Sequence, residues 1–212
     1  MIKIFKYILL VTLSVMFLFP FFWMVVSSFK PTSEVLAIPV NILPKNWQLD
    51  AYTNLLNYAE YDFSRYFFNS IFVTFFAVLL AVILCTTAGY GFAKYKFKYN
   101  NLYFIIVLST IMIPFQAIVV PLFILMKNLG LQNSYLGLII PESLTAFGVF
   151  LMRQFFYSVP DEIIESARID GASEFRIFWN IALPTAKTAI FALIIFHSQW
   201  VWNLLLWPLI II

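Results

Sequence analysis

The densest run of ionisable residues is Asp161-Glu162-Ile163-Ile164-Glu165-Ser166-Ala167-Arg168-Ile169-Asp170-Gly171, set between two apolar stretches. Pro160 followed by two acids suits a helix start, where free amides and the helix dipole favour negative charge. Ile163, Ile164 and Ala167 then fall on one face, with Glu165 and Arg168 on its flanks. Asp170-Gly171 ends the helix, because glycine readily takes the left-handed backbone. A second helical segment runs through Phe175, Phe178 and Ile181 to Pro184. About two turns of helix are not stable alone, so this one needs a surface. That surface is either the lipid headgroups or a groove on a cytoplasmic partner. Small Ala167 and Gly171 permit close approach, and the polar face lacks the lysines of a lipid-seeking helix, which favours the groove. The chemistry of this segment is docking.

A second set of polar residues lies inside apolar runs: Gln116, Glu142, His197, Gln199 and Asn203. An acid within an apolar span is by default a functional-site candidate, though near a span end it can also reach water or pair with a polar neighbour. Gln199 and Asn203, four apart, share a helix face; His197 and Asn203, six apart, do not. These groups either bond helix to helix or, with Gln116 and Glu142, line a polar path. One histidine permits neither a catalytic dyad nor a histidine metal cluster, and the lone Cys85 permits no internal disulfide. No G-x-x-x-x-G-K-[ST] run occurs, so nucleotide phosphates would be bound by a separate subunit. The chain reads as a non-enzyme.

The elements that must position these residues follow from composition. Hydrophobic residues are 63% and charged residues 11% of the 212, against about 45–50% and 25% in a soluble domain. Too few charges remain to cover a soluble surface, and a net charge of +3 with scattered basic residues excludes nucleic acid as a partner. Five apolar stretches reach the roughly 20 residues that cross a bilayer as helix: 7–29, 68–93, 102–126, 135–156 and 188–212. None alternates with the period of a barrel strand. The expected fold is all-α, a single polytopic bundle over 1–212, with an external loop at 30–67 and a cytoplasmic loop at 158–184. Pro20, Pro114, Pro121, Pro141 and Pro208 interrupt the spans as packing kinks or hinges, which a membrane bundle tolerates. The first span is too long for a cleaved signal peptide.

Lysine and arginine set the orientation. Lys3 and Lys6, then Lys94, Lys96 and Lys98, then Arg153, Arg168, Arg176 and Lys187 alternate with 30–67 and 127–134. The N-terminus is therefore expected in the cytoplasm and Ile212 outside. The run Trp207-Pro208-Leu209-Ile210-Ile211-Ile212 stops with no polar cap, which predicts a further span beyond it.

Glu165-Ser166-Ala167, Asp170-Gly171-Ala172 and Ile181-Ala182-Leu183-Pro184 resemble the E-A-A, D-G-A and I-x-L-P pattern of the coupling (EAA) loop in binding-protein-dependent ABC import permeases. Ser166 in place of alanine is the one departure. Ala88-Gly89-Tyr90-Gly91-Phe92-Ala93-Lys94-Tyr95-Lys96-Phe97 is similar to the A-x-Y-A-F-A-R-x-x-F signature of the carbohydrate-uptake branch, with Lys94 replacing arginine. Leu43-Pro44, Asn46-Trp47, Ala51-Tyr52, Phe68-Asn69-Ser70, Met112-Ile113-Pro114, Pro121-Leu122, Phe155-Phe156, Trp202-Asn203 and Trp207-Pro208-Leu209 extend the likeness over nearly the whole chain. The resemblance is to the G-type subunits of maltose permeases.

The resemblance implies the type I ABC importer permease fold, with a sixth span that the present chain lacks. It also implies a bacterial inner-membrane importer for a di- or oligosaccharide. Its partners would be a second permease subunit, a dimer of ATP-binding subunits carrying ATP and Mg, and an extracytoplasmic solute-binding protein. No cofactor is expected in this chain. Coupling to the ATPase falls to Ile163, Ile164, Glu165, Ala167, Arg168, Asp170 and Gly171, with the apolar face docking, the charges pairing at the rim and Gly171 setting the angle. The path candidates are Gln116, Glu142, Gln199 and Asn203. Trp200, Trp202 and Trp207 either stack on sugar rings or mark the membrane interface, and Trp207, nearest the outer end, is assigned to the interface. The alternatives are a permease for glycerol-phosphate-type polyol esters and an ion-gradient-driven secondary transporter, for which Glu142 would be the one intramembrane acid.

Overall fold

The computed structural model describes residues 2–57 and 62–212, so positions 58–61 of the external segment lie outside the described residues. It divides into two compact units, the residues up to Phe67 and Phe68–Ile212. Among the described residues the chain is helical, with no strand.

In the first unit, α1 (Ile2–Ser27) keeps its helix through Pro20. From Phe5 to Val25 its Leu, Phe, Val and Met side chains are exposed on every face, the pattern of a helix surrounded by lipid or by another protein, and only at Val26 does it become buried. The chain then folds back on the end of α1. Phe29 packs on Trp47 and Tyr52 with ring centroids 5.7 and 5.8 Å apart. The Gln48 amide donates to the Phe29 carbonyl at 2.9 Å. Lys30 sits over the Trp23 ring and donates to the Asn41 carbonyl at 2.6 Å. Two short helices, α2 (Thr32–Val35) and α3 (Asp50–Leu56), complete this segment.

The second unit is organised by α4 (Phe63–Lys94), counted from Phe68. The stretch expected as one span at 102–126 is α5 (Asn100–Ser109), a 3-10 turn, and α6 (Phe115–Asn128), bent by 103°. Pro114 is responsible: it has no N–H to give, and it drives the residue before it out of helical conformation, leaving Ile113 extended at φ −84°, ψ 113°. The stretch at 135–156 is likewise divided, into α7 (Tyr135–Ile139) and α8 (Ala146–Tyr157), with Pro141 and Glu142 in the break. Each half starts on a hydroxyl cap: Ser134 accepts from the Gly137 amide and Thr145 from the Gly148 amide.

The loop at 158–184 contains α9 (Asp161–Ile169), α10 (Glu174–Ile177), a π-helical turn at Phe178–Ala182 and α11 (Leu183–Thr185). The last span is α12 (Lys187–Trp202) and α13 (Leu206–Ile211), interrupted where Pro208 cannot donate to a carbonyl four residues back.

Helices α4, α8 and α12 cross closely because glycine lies at the contacts. A Cβ on Gly89 would stand 2.5 Å from the Met152 Cβ, and one on Gly148 would stand 2.6 Å from the Cys85 Sγ and 3.0 Å from Leu193. Around this crossing lies the main core, with Met152, Phe156, Ile177 and Leu193 essentially inaccessible. A second cluster joins α6, α7 and α13 through Val119, Met126, Leu138, Trp207 and Ile211. Trp207 is here fully buried and donates its indole N–H to the Gly137 carbonyl at 3.0 Å. This corrects its assignment to the membrane interface: the break before α13 turns the ring inward.

Candidate coupling corner and translocation cleft

Helix α9 leaves the bundle at a corner tied at both ends. At its start, the Lys94 ammonium, with 4% of its side chain exposed, donates to the Val159 carbonyl and to Asp161 Oδ1, each at 2.6 Å. At its finish, Arg168 grips Glu174 with Nε at 2.6 Å from Oε1 and Nη2 at 3.1 Å from Oε2. The Tyr95 hydroxyl donates to the same Oε2 at 2.7 Å. Hydrogen bonding and charge from Lys94 hold the Asp161 carboxyl below its ordinary range, and Arg168, then Tyr95, do the same for Glu174. Burial, then the bond to Glu174, push the Tyr95 phenol up to about 12. Gly171, at φ +80°, makes the turn between α9 and α10.

The apolar face expected to dock a partner is turned the other way in part. Ile164 (2% exposed) and Ala167 (9%) pack inward in one cluster with Tyr90, Phe156, Val159 and Ile177. They attach α9 to its own bundle, as a helix this short requires. The outward side presents Glu162, Ile163, Glu165, Ser166, Ile169 and Asp170, with Ile169 the most exposed of its apolar members. Arg168, expected as a rim charge for a partner, is engaged by Glu174 within the chain.

Behind the corner lies a buried cation that the loop charge count had placed in the connection. Arg153 belongs to α8 and is 7% exposed. Its guanidinium lies 3.7 Å from the Phe104 ring centroid, with Nη2 donating to the Asn101 side chain at 3.0 Å and to the Tyr157 hydroxyl at 2.7 Å. A buried guanidinium held by rings and neutral acceptors ties α8 to α5. Neither this lock nor the role of Glu174 was found by sequence reasoning.

Toward the other end of the unit, an open cleft of about 600 Å³ is lined by Phe115, Gln116, Phe196, Gln199, Trp200, Asn203 and Leu204 to Leu206. Three of the four path candidates, Gln116, Gln199 and Asn203, therefore line this one cleft, although Asn203 also donates to the Gln199 carbonyl at 2.7 Å. Glu142 does not line it. It is 7% exposed in the α7–α8 break, where its carboxylate accepts from the Trp200 indole at 3.0 Å and its backbone carbonyl lies 2.8 Å from His197 Nε2. It touches the cleft only through Trp200.

Residues 86–212, which include the corner, the crossing and the cleft, match the family of binding-protein-dependent transport system inner membrane components. The chain belongs to this family. It is a multi-pass permease subunit of an ABC importer, not an enzyme, and membership sets aside ion-gradient-driven transport. The permease is 40% identical over 202 residues to the arabinooligosaccharides transport system permease protein AraQ of Bacillus subtilis, covering 94% of this chain and 72% of that protein. It is 34% identical to the diacetylchitobiose uptake system permease protein NgcG of Streptomyces coelicolor, covering 94% and 66%. To the sn-glycerol-3-phosphate transport system permease protein UgpE of Yersinia enterocolitica it is 31% identical, covering 98% and 75%. Its fold superposes with a TM-score of 0.86 at 26% identity on a chain of a bacterial ABC transporter that imports the acidic polysaccharide alginate, covering 100% of the permease and 74% of that chain. The permease's expected fold class agrees with this likeness.

Proposed function

We propose that the permease passes an uncharged di- or oligosaccharide across the bacterial inner membrane as one half of a channel completed by a second permease subunit. Two copies of an ATP-binding subunit, carrying ATP and Mg, drive it from the cytoplasm, and an external solute-binding protein delivers the sugar. The N-terminus lies in the cytoplasm, on the side of the lysines and arginines.

The observation that carries the coupling half of this reading is the corner itself. A two-turn helix is held against the bundle by its inner face and presents Ile163, Ile169 and three carboxylates outward. That surface suits a groove on a partner with an apolar floor and basic rim. Closure of the ATP-bound dimer would move the groove, and the corner would pass that motion to the spans.

The cleft supports the choice of substrate. Its amides can exchange hydrogen bonds with hydroxyls, and Trp200 offers a flat apolar face to a sugar ring, while neither lysine nor arginine lines it. An anionic ester would find no cation there, which favours a neutral saccharide over a glycerol-phosphate-type substrate.

The test is to tag the chain, solubilise it from native membranes and identify what copurifies. An ATP-binding subunit and a second permease are expected, and the reconstituted complex, with its binding protein, should take up arabino-oligosaccharide without competition from sn-glycerol 3-phosphate. A folded chain that captures neither partner, or competition by the phosphate ester, overturns the corresponding half of the proposal.

A further inference from the structure

We propose that Glu174 is a positioning residue that, with Tyr95 and Arg168, closes the corner around Gly171, so that α9 moves as one rigid body with the cytoplasmic end of α4. The inference rests on the coupling reading above and names the route by which motion enters the bundle.

A helix that ends on a single left-handed glycine is free to swing about that residue. Here the swing is blocked, because the Arg168–Glu174 pair spans Gly171, joining the last turn of α9 to the first residue of α10. Both oxygens of Glu174 are engaged in the process. Its two oxygens accept from Nε and Nη2 of Arg168 and from the Tyr95 hydroxyl, and a planar guanidinium gripping a carboxylate twice fixes direction as well as distance.

Tyr95 directly follows the last residue of α4, and Lys94 before it ties the other end of α9 through Asp161 and the Val159 carbonyl. The inner face adds a third attachment. Ile164 and Ala167 share a cluster with Tyr90, whose ring meets Phe156 and Phe178 at 5.3 and 5.1 Å. Both ends and one face of α9 are thus fastened to residues 90–95. Toward α12 the chain packs into the same core, through Ile177, Ala182 and Ala186, but along a bent path. A π-helical turn, Pro184 and a 74° bend separate the corner from α12, and such turns mark places where a helix is readily distorted. A push on α9 therefore turns α4 directly and reaches α12 through a joint.

The experiment places nitroxide labels at Thr87→Cys on α4 and Ser166→Cys on α9, in a Cys85→Ala background, with the full chain in nanodiscs. The distance distribution measured by pulsed electron resonance is expected to be single and narrow. Glu174→Ala and the milder pair Tyr95→Phe with Glu174→Gln should broaden it. Arg168→Glu combined with Glu174→Arg rebuilds the pair and should narrow it again, which separates positioning from loss of folding. An unchanged distribution in the Glu174→Ala chain, or no recovery in the exchanged pair, overturns the proposal. In the assembled complex, Glu174→Ala should keep the ATP-binding subunit bound while transport per ATP hydrolysed falls about fivefold or more. Undiminished transport per ATP also overturns it. If the unaltered chain captures no ATP-binding subunit, the coupling reading fails, whereas the label distances still decide whether the corner is rigid.

Discussion

Trp200 donates its indole N–H to Glu142 at 3.0 Å, joining α12 to the break between α7 and α8, and so one wall of the cleft is oriented by an acid that does not line it. The same break is fastened again by His197 on the Glu142 carbonyl. Glu142 therefore bears on the cleft only through the ring it holds. In a bilayer interior, such a carboxylate is also spared isolation by having a donor.

That relationship predicts unequal effects at position 142. Glu142→Gln keeps an acceptor for the indole and should leave stability and sugar uptake near those of the unaltered chain. Glu142→Leu removes it and should cost about 1–2 kcal/mol of stability, with a raised KM for the transported sugar. Trp200→Ala leaves the buried Glu142 carboxyl without its donor and should cost at least as much stability while also raising KM. Thermal unfolding of the purified complex, read beside uptake kinetics, checks all three.

The helix crossing predicts a steric threshold. Because a Cβ on Gly89 would lie within 2.8 Å of the Arg153 backbone nitrogen, the obstacle is main chain and cannot swing aside. Gly89→Val should destabilise by about 1–3 kcal/mol. Gly91→Ala, with nothing near its Cβ, should be neutral or slightly stabilising in α4. Melting temperatures of the two variants in detergent would show whether the crossing is as close as described.

The two faces of α9 predict separable failures. Ile164→Ala should lower stability by about 2–4 kcal/mol, as truncation of a buried isoleucine does. Ala167→Trp should act the same way, by overfilling the chain's own core. Ile169→Asp should leave stability unchanged and abolish capture of the ATP-binding subunit. Gly171→Pro should fail on both counts, since proline cannot take φ +80°. Copurification beside thermal unfolding distinguishes these outcomes.

The corner also has a pH window. Asp161 and Glu174 are held below their ordinary 3.8 and 4.5, so their ties are complete above those values and are lost as pH falls through the lowered ones. Tyr95, raised from 10.0 to about 12, contributes fully below 10.0 and loses its donated bond as pH rises toward 12. Hydrogen exchange of the α9 amides should therefore be flat from pH 5 to about 9 once corrected for the intrinsic rate, with protection falling on either side. A change in protection near pH 7 would contradict the assignment.

Composition and hydropathy alone determined that the chain is helical and lives in a membrane, because the cost of burying polar backbone in lipid leaves long apolar runs few alternatives. Local chemistry was equally readable: Pro160 with its acids opens α9 and Gly171 closes it, since both act through their own backbone angles. Pro114, Pro141 and Pro208 marked where spans are interrupted, whereas Pro20 and Pro121 lie inside unbroken helices, and the 103° bend at Pro114 depends on what the two halves pack against.

Tertiary structure decided everything that needs a second element. A helix of nine residues with isoleucines at 163, 164 and 169 has apolar groups on two sides, and periodicity cannot say which side finds the bundle. The ring of Trp207 follows the turn before α13, and Arg153 takes its place from rings on α5 and at the end of α8. Glu174 has no distinguishing neighbour in sequence. It becomes the keystone of the corner only because folding brings Tyr95, 79 residues away, within 2.7 Å.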